Sequence, residues 1–245
     1  MIPAQKDPFL DSVLYFYLKR MLRRYFHTVR VAGLEHLTAL EKTRPAIAFA
    51  NHSNWWDGVL LFYLSRFQRN KDFYCMMEEK QMLHYPFFSW LGAFSVNLDN
   101  PILAGGTVRY TCKLLRENRT LIWIFPQGRM VRPREPISIK PGVDFLAKRF
   151  SNARMLPVAF HYAFEREQKP VAYIHIGPSY SATDNSDDRL RAEMEQQVAA
   201  LWRDEEQADW SGYQTILKPT LSINKRWEWV KRLCNGTLAD FDRGN

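Results

Sequence analysis

The sequence predicts one α/β domain: a mixed, mostly parallel sheet flanked by helices, with an amphipathic helix at its N-terminus. Three observations predict it. Apolar runs of strand length alternate with helix-period stretches between residues 29 and 207, the pattern of helices packed over a largely parallel sheet. The most apolar runs, 46–50 and 120–125, lack in-out alternation, as strands covered on both faces do. At 245 residues, 46% hydrophobic and 14% aromatic, the chain can bury one large core, and no low-complexity tract or linker divides it.

Each element has its own signal. Across 9–27, Phe9, Val13, Leu14, Tyr17, Met21, Leu22, Tyr25 and Phe26 recur at helical spacing, with Lys19, Arg20, Arg23 and Arg24 towards the end, an amphipathic basic helix suited to a core or to a membrane surface. Residues 29–33 read as a strand closing on a glycine turn, and 46–50 as a buried strand running into the polar cluster Asn51-His-Ser-Asn54. A helix over 56–66 follows. Strands are expected at 72–77 and 93–98, separated by the aromatic stretch 85–90, and a helix at 105–117. The strand at 120–125 breaks at Pro126-Gln-Gly128, the mark of a buried strand delivering a loop. Beyond a loop holding Arg129, Arg132 and Arg134 come a helix at 142–150, strands at 155–160 and 171–176, and a helix at 187–207 striped by Leu190, Met194, Val198, Leu201 and Trp202. The division expected is 1–28 for the amphipathic helix, 29–208 for the α/β domain, and 209–245 for a tail packed on the domain or on membrane. That tail mixes Trp210, Tyr213, Trp227 and Trp229 with Lys218, Lys225, Arg226, Lys231 and Arg232, a combination suited to lipid headgroups.

Composition narrows the partners. The net charge of +8 predicts attraction to a polyanion, and because the basic residues sit in aromatic-rich terminal segments with no recognition-helix or RNP-like pattern, an anionic membrane surface is expected and nucleic acid is not. Three widely spaced cysteines, Cys75, Cys112 and Cys234, suggest neither a disulfide framework nor a metal site. The charge-free run 81–98 contains His84, Pro86, Gly92 and Asn97, costly in a lipid-facing helix, so a peripheral position on the cytoplasmic face is expected.

The chemistry concentrates where the 46–50 strand meets the next helix. His52 and Asp57, five apart, would diverge on one continuous helix at ~100° per residue, so His52 should precede the helix and Asp57 lie in its first turns. A carboxylate there fixes the imidazole tautomer and leaves the other ring nitrogen as a general base. Alone, such a pair is more often a structural hydrogen bond. No G-x-S-x-G elbow, P-loop or H-E-x-x-H is present.

Further blocks stand in order along the chain: Asn51, His52 and Asp57; Gly92-Ala-Phe-Ser-Val96; Phe125-Pro-Gln-Gly128; Lys140-Pro-Gly142; Leu156-Pro-Val158. With them the chain, over roughly 29–176, resembles the glycerolipid (lysophospholipid) acyltransferase family, whose fold is that of glycerol-3-phosphate acyltransferase. The resemblance implies that His52, oriented by Asp57, deprotonates an acceptor hydroxyl that attacks an acyl-CoA or acyl-carrier-protein thioester, with no cofactor or metal. It places the acceptor near Asn51, Phe125, Pro126, Gln127, Gly128 and Arg129, with backbone N–H groups near Gly128 holding the oxyanion, and an acyl or acceptor groove near Gly92, Phe94 and Leu98. Two departures bear on the substrate: Leu98 stands where phosphate-binding members keep arginine, and Gly128-Arg-Met130 replaces Gly-Thr-Arg, with Gln127 in place of glutamate. Leucine cannot pair with phosphate as arginine does, so a lipid acceptor without a phosphomonoester is expected, such as a glycolipid, a glycosylated isoprenoid or an amino lipid. Arg129, Arg132 or Arg134 as substitutes would keep lysophosphatidate as acceptor. The remaining alternatives are a thioesterase using water at the same pair and a non-catalytic lipid-binding protein on this fold.

Overall fold

The computed structural model describes residues 1–219, so the expectations for Lys225, Arg226, Trp227, Trp229, Lys231 and Arg232 lie outside the described residues. Helix α1 (Pro8–Tyr25) starts where the Asp7 carboxylate accepts the N–H groups of Phe9 and Leu10. It buries Leu18 and Leu22 and leaves Phe9 and Phe16 75% and 69% exposed. There follow β1 (Thr28–Ala32), a short α2 (Leu34–Thr38), β2 (Ala46–Ala50), α3 (Trp56–Leu64), β3 (Asp72–Glu78), α4 (Glu79–His84), β4 (Ala93–Val96) and α5 (Pro101–Leu114). The rest comprises β5 (Thr120–Ile124), α6 (Gly142–Arg149), β6 (Arg154–Ala163), β7 (Val171–Ile176), a two-residue β8 (Tyr180–Ser181), α7 (Asp187–Glu206) and β9 (Gln214–Leu217).

The strands lie in the order β4-β3-β5-β2-β6-β7-β1-β9, with β8 also on β6. From β4 to β6 all neighbours are parallel, β7 is antiparallel to β6, β1 parallel to β7 and β9 antiparallel to β1. This is the mixed, mostly parallel sheet that the sequence predicts. Strand β2 shows why its run is continuously apolar: Ala46, Ala48 and Ala50 face the core shared with α1 and α3, while Ile47 and Phe49 face the one built with α6 and α7. The pleat sends alternate residues to opposite faces, and both are covered.

The crossovers fix the crevice. The chain leaves β2 through α3, on the α1 face, to reach β3; it leaves β5 through α6, on the other face, to reach β6. These two connections thus depart on opposite faces from the adjacent strands β2 and β5, and the gap at their C-terminal ends is a topological switch point. Everything that follows β2 and β5 in sequence is delivered there.

Several elements depart from expectation. Helix α5 begins before 105 because the Asn100 side chain caps it, accepting from the N–H groups of Ile102 and Leu103, which outweighs the poor propensity of Gly105 and Gly106. Helices α2 and α4, of five and six residues, are too short to show a period. Strand β6 runs on to Ala163 because β7 pairs with its second half. In the segment expected as tail, β9 pairs with β1, and Trp210 stacks on Tyr173 with ring centroids 3.5 Å apart. Among the described residues no helix is long and apolar enough to cross a membrane.

Candidate active site

The β2 strand ends at Ala50, and Asn51 continues its pairing with β6 through a side chain. The Asn51 Nδ2 donates to the Phe160 carbonyl at 3.0 Å, and the Phe160 N–H donates to Asn51 Oδ1 at 2.8 Å. Its amide is therefore engaged with backbone at both ends. His52 lies in the following turn, before α3, and Asp57 is the second residue of α3.

The imidazole Nδ1 stands 2.9 Å from Asp57 Oδ2. That same oxygen accepts the N–H groups of Ser53 at 2.7 Å and Asn54 at 2.9 Å, a local loop that follows from placing a carboxylate in the first turn of a helix beside free amides. The other oxygen, Oδ1, accepts the hydroxyl of Tyr162 from the end of β6. Asp57 is wholly buried, while the His52 side chain keeps 22% exposure. With Nδ1–H donated to the carboxylate, Nε2 carries the lone pair.

The loop after β5 holds the imidazole from the other side. Phe125 stacks on the His52 ring, centroids 4.2 Å apart and planes 17° apart. Gln127 Oε1 accepts the His52 N–H at 2.9 Å, and the His52 carbonyl accepts the Val131 N–H at 2.8 Å. The loop turns at Gly128, whose φ of 68° suits glycine, and whose N–H is donated to the Phe125 carbonyl at 3.0 Å. That amide closes the turn, so the Gly128 N–H itself is not a free oxyanion donor.

Of the residues singled out in the sequence, His52, Asp57, Asn51, Phe125, Gln127 and Gly128 converge at the ends of β2 and β5. Pro126, buried, accepts the Lys140 N–H at 2.8 Å and ties the following loop down. Arg129 is exposed and ion-paired with Glu135. The groove expected at Gly92, Phe94 and Leu98 is corrected for two of the three. Gly92 is buried in a turn against the Phe73 carbonyl, and Phe94 is fully buried with its ring 5.2 Å from Tyr110, because α5 covers β4, the edge strand of the sheet, and Phe94 fills core beneath it. Leu98, past the strand end, is 42% exposed and approaches Gly128 beside the Lys140 side chain.

Tyr162 is the contributor that sequence reasoning missed. It sits 105 residues from Asp57, and nothing local marks it; only the continuation of β6 beyond Phe160 carries it to the site. Burial first, then the Asp57 charge that it faces and bonds, push its phenol well above the ordinary value, so the hydroxyl remains a donor at any working pH. Hydrogen bonds to charged groups contribute roughly 1.5–3 kcal/mol. Tyr162→Phe should therefore lower the turnover of any reaction using His52 by about tenfold, with KM changed less than about twofold. Steady-state kinetics would check it, and a changed KM at constant kcat would show that Tyr162 serves binding instead.

Comparison with known proteins agrees with this geometry. A model of the Acyltransferase family matches residues 28–161, a span holding every one of these contacts except the Tyr162 hydroxyl. Among solved structures, the crystal structure of the 1-acyl-sn-glycerophosphate (LPA) acyltransferase PlsC from Thermotoga maritima superposes with a TM-score of 0.55 at 18% identity, covering 80% of this chain and 81% of that one. No curated protein matches the sequence. Since the family model spans more than half of the chain and has the His52–Asp57 pair within it, the chain belongs to the Acyltransferase family and is an acyltransferase.

Proposed function

We propose that the protein transfers a fatty acyl group from an acyl thioester, acyl-CoA or acyl-carrier protein, to a hydroxyl of a lipid acceptor at the membrane surface. The observation carrying this is an imidazole fixed through Nδ1 by a buried carboxylate at the switch point, its Nε2 without a hydrogen-bond partner among the described residues. His52 Nε2 takes the acceptor proton as that oxygen bonds to the thioester carbonyl carbon; the carbon–sulfur bond then breaks, and the imidazolium returns the proton to the departing thiolate. Asp57 holds the tautomer and stabilises the imidazolium. A thiol of pKa ~8.5 leaves readily without a strong general acid.

The acceptor in this reading lacks a phosphomonoester, because Leu98 rather than a guanidinium meets Gly128. One observation favours a second reading, lysophosphatidate as acceptor: the Lys140 side chain also approaches Gly128, and the named substrate of the Thermotoga protein carries a phosphate. Lipid profiling of cells with the wild-type gene, with His52→Ala and with no gene decides the matter. The expected result is one acylated lipid class missing from both of the latter; a full complement of that class in His52→Ala cells would remove His52 from the reaction.

Peripheral attachment rests on α1. Phe9, Val13, Phe16 and Tyr17 are all at least half exposed, and Lys19, Arg20, Arg23 and Arg24 follow on the same helix. Burying each phenyl is worth roughly 1.5–3 kcal/mol, so Phe9→Ser with Phe16→Ser should weaken binding to anionic vesicles at least tenfold in a flotation assay. Undiminished flotation would move the attachment away from α1.

A further inference from the structure

Behind the His52 turn, on the α7 side, lies a cavity of about 240 Å³. Its walls include both sequence neighbours of His52, Asn51 and Ser53, the loop after Val131, and the α7 residues Val198 and Trp202. Gln127 lines it and is only 1% exposed. The orientation of its amide is fixed by chemistry: the His52 N–H can only donate, so the atom 2.9 Å from it is Oε1, and the NH2 is the other end. That Nε2 is buried and has no hydrogen-bond partner among the described residues. Where a glutamate would carry a second carboxylate oxygen on this wall, the chain carries an unpartnered donor.

The rest of the lining decides what the donor meets. Arg134 lies over the Trp202 ring at 4.3 Å and within 3.7 Å of Glu206. His161, 8% exposed, stands 3.1 Å from Glu205, outside hydrogen-bond geometry. Glu135 adds an acceptor, already ion-paired with Arg129. Most of the positive charge is thus matched by carboxylates, and Arg132 is the remaining guanidinium. A phosphomonoester dianion only accepts hydrogen bonds and would bring two negative charges beside Glu135, the carboxylate on this lining, and near Glu205 and Glu206, which sit against His161 and Arg134 of the lining. A hydroxyl donates and accepts, and so matches a wall of amide, hydroxyl, imidazole and carboxylate groups.

We propose that this cavity receives the headgroup of the acceptor lipid, and that the headgroup is neutral and rich in hydroxyls, of the size of one sugar ring. The proposal rests on the acyl-transfer reading above and names its acceptor class. Occupancy is linked to the chemistry through one side chain, since the Gln127 amide would grip the headgroup with Nε2 while holding the His52 backbone with Oε1.

The test uses the full chain with a long-chain acyl-CoA and two acceptors kept below micellar concentration, octyl β-D-glucoside and lysophosphatidate, measuring ester formation and thioester hydrolysis together. The expected result is acylation of the glucoside, with its KM raised at least tenfold by Val198→Trp, which fills the cavity from α7, and by an intermediate factor in Val198→Phe. Calorimetric titration of wild-type protein with octyl glucoside gives a binding measurement independent of whether the variants fold, and absence of binding overturns the proposal. Turnover of lysophosphatidate without turnover of the glucoside, or a glucoside KM indifferent to both substitutions in folded protein, overturns the headgroup assignment and leaves acyl transfer standing. Thioester hydrolysis with no ester formed on either acceptor overturns both readings.

Discussion

Replacing Asp57 by Asn is expected to reduce kcat roughly 10³- to 10⁴-fold, the scale seen when a catalytic imidazole loses its carboxylate, while leaving the fold and the substrate KM values close to wild type. The hydrogen-bond pattern explains why Asn is tolerated. Three donors meet at Oδ2, from His52, Ser53 and Asn54, so the Asn carbonyl oxygen takes that place and its NH2 turns towards Tyr162, whose hydroxyl rotates to accept instead of donate. Geometry survives; the charge opposite the developing imidazolium does not. Asp57→Ala would be a poorer experiment, because it leaves the N–H groups of Ser53 and Asn54 and the Tyr162 hydroxyl without an acceptor, at about 1–3 kcal/mol for each buried group. A kcat within about tenfold of wild type for Asp57→Asn, in protein with unchanged thermal midpoint, would mean that the pair is a structural hydrogen bond.

How far this site was legible in the sequence follows from the range of the forces that build it. The His52–Asp57 relation is local: five residues, a strand end and a helix start determine it, and both were readable from an apolar run meeting a polar cluster. The same holds for the Phe125–Gly128 loop, which a buried strand and a Pro-Gln-Gly break announce. What the sequence did not disclose is contributed across the sheet. Asn51 is engaged by the Phe160 backbone and Asp57 by Tyr162, and both contacts depend on β6 lying beside β2, a register that no pattern within either strand specifies. The groove reading at Gly92 and Phe94 failed for a related reason. A hydrophobic strand looks alike whether its side chains line a channel or fill core, and only the neighbouring β3 and α5 make Phe94 core. Strand β9 was hidden inside a segment whose tryptophan and lysine content suited a membrane equally well, until pairing with β1 distinguished it.

Gly33 shows the same division between local and long-range information, and its substitution should have the largest effect on stability. A glycine after an apolar strand is readable as a turn, and its φ of 72° is the left-handed conformation that such turns use. Any other residue there costs roughly 1–2 kcal/mol. The sequence gives no hint of the second constraint: a β-carbon at Gly33 would stand 3.0 Å from the carbonyl carbon of Ile176 and well inside contact with its oxygen. That carbonyl is backbone at the end of β7, and β7 is held between β6 and β1, so it cannot swing aside as a side chain would. Gly33→Ala is therefore expected to destabilise the protein by about 3 kcal/mol, placing it among the larger single substitutions, and to lower the thermal midpoint by roughly 6–12 °C for a chain of this size. The restricted unfolded chain returns only about 0.4–1 kcal/mol. Gly58→Ala is the matched control, since nothing lies within 4 Å of its β-carbon position and it sits inside α3; there alanine should stabilise by roughly 0.5–1 kcal/mol. Equal midpoints for the two variants would show that the turn between β1 and α2 has slack against the end of β7, and the strain argument at Gly33 would fail.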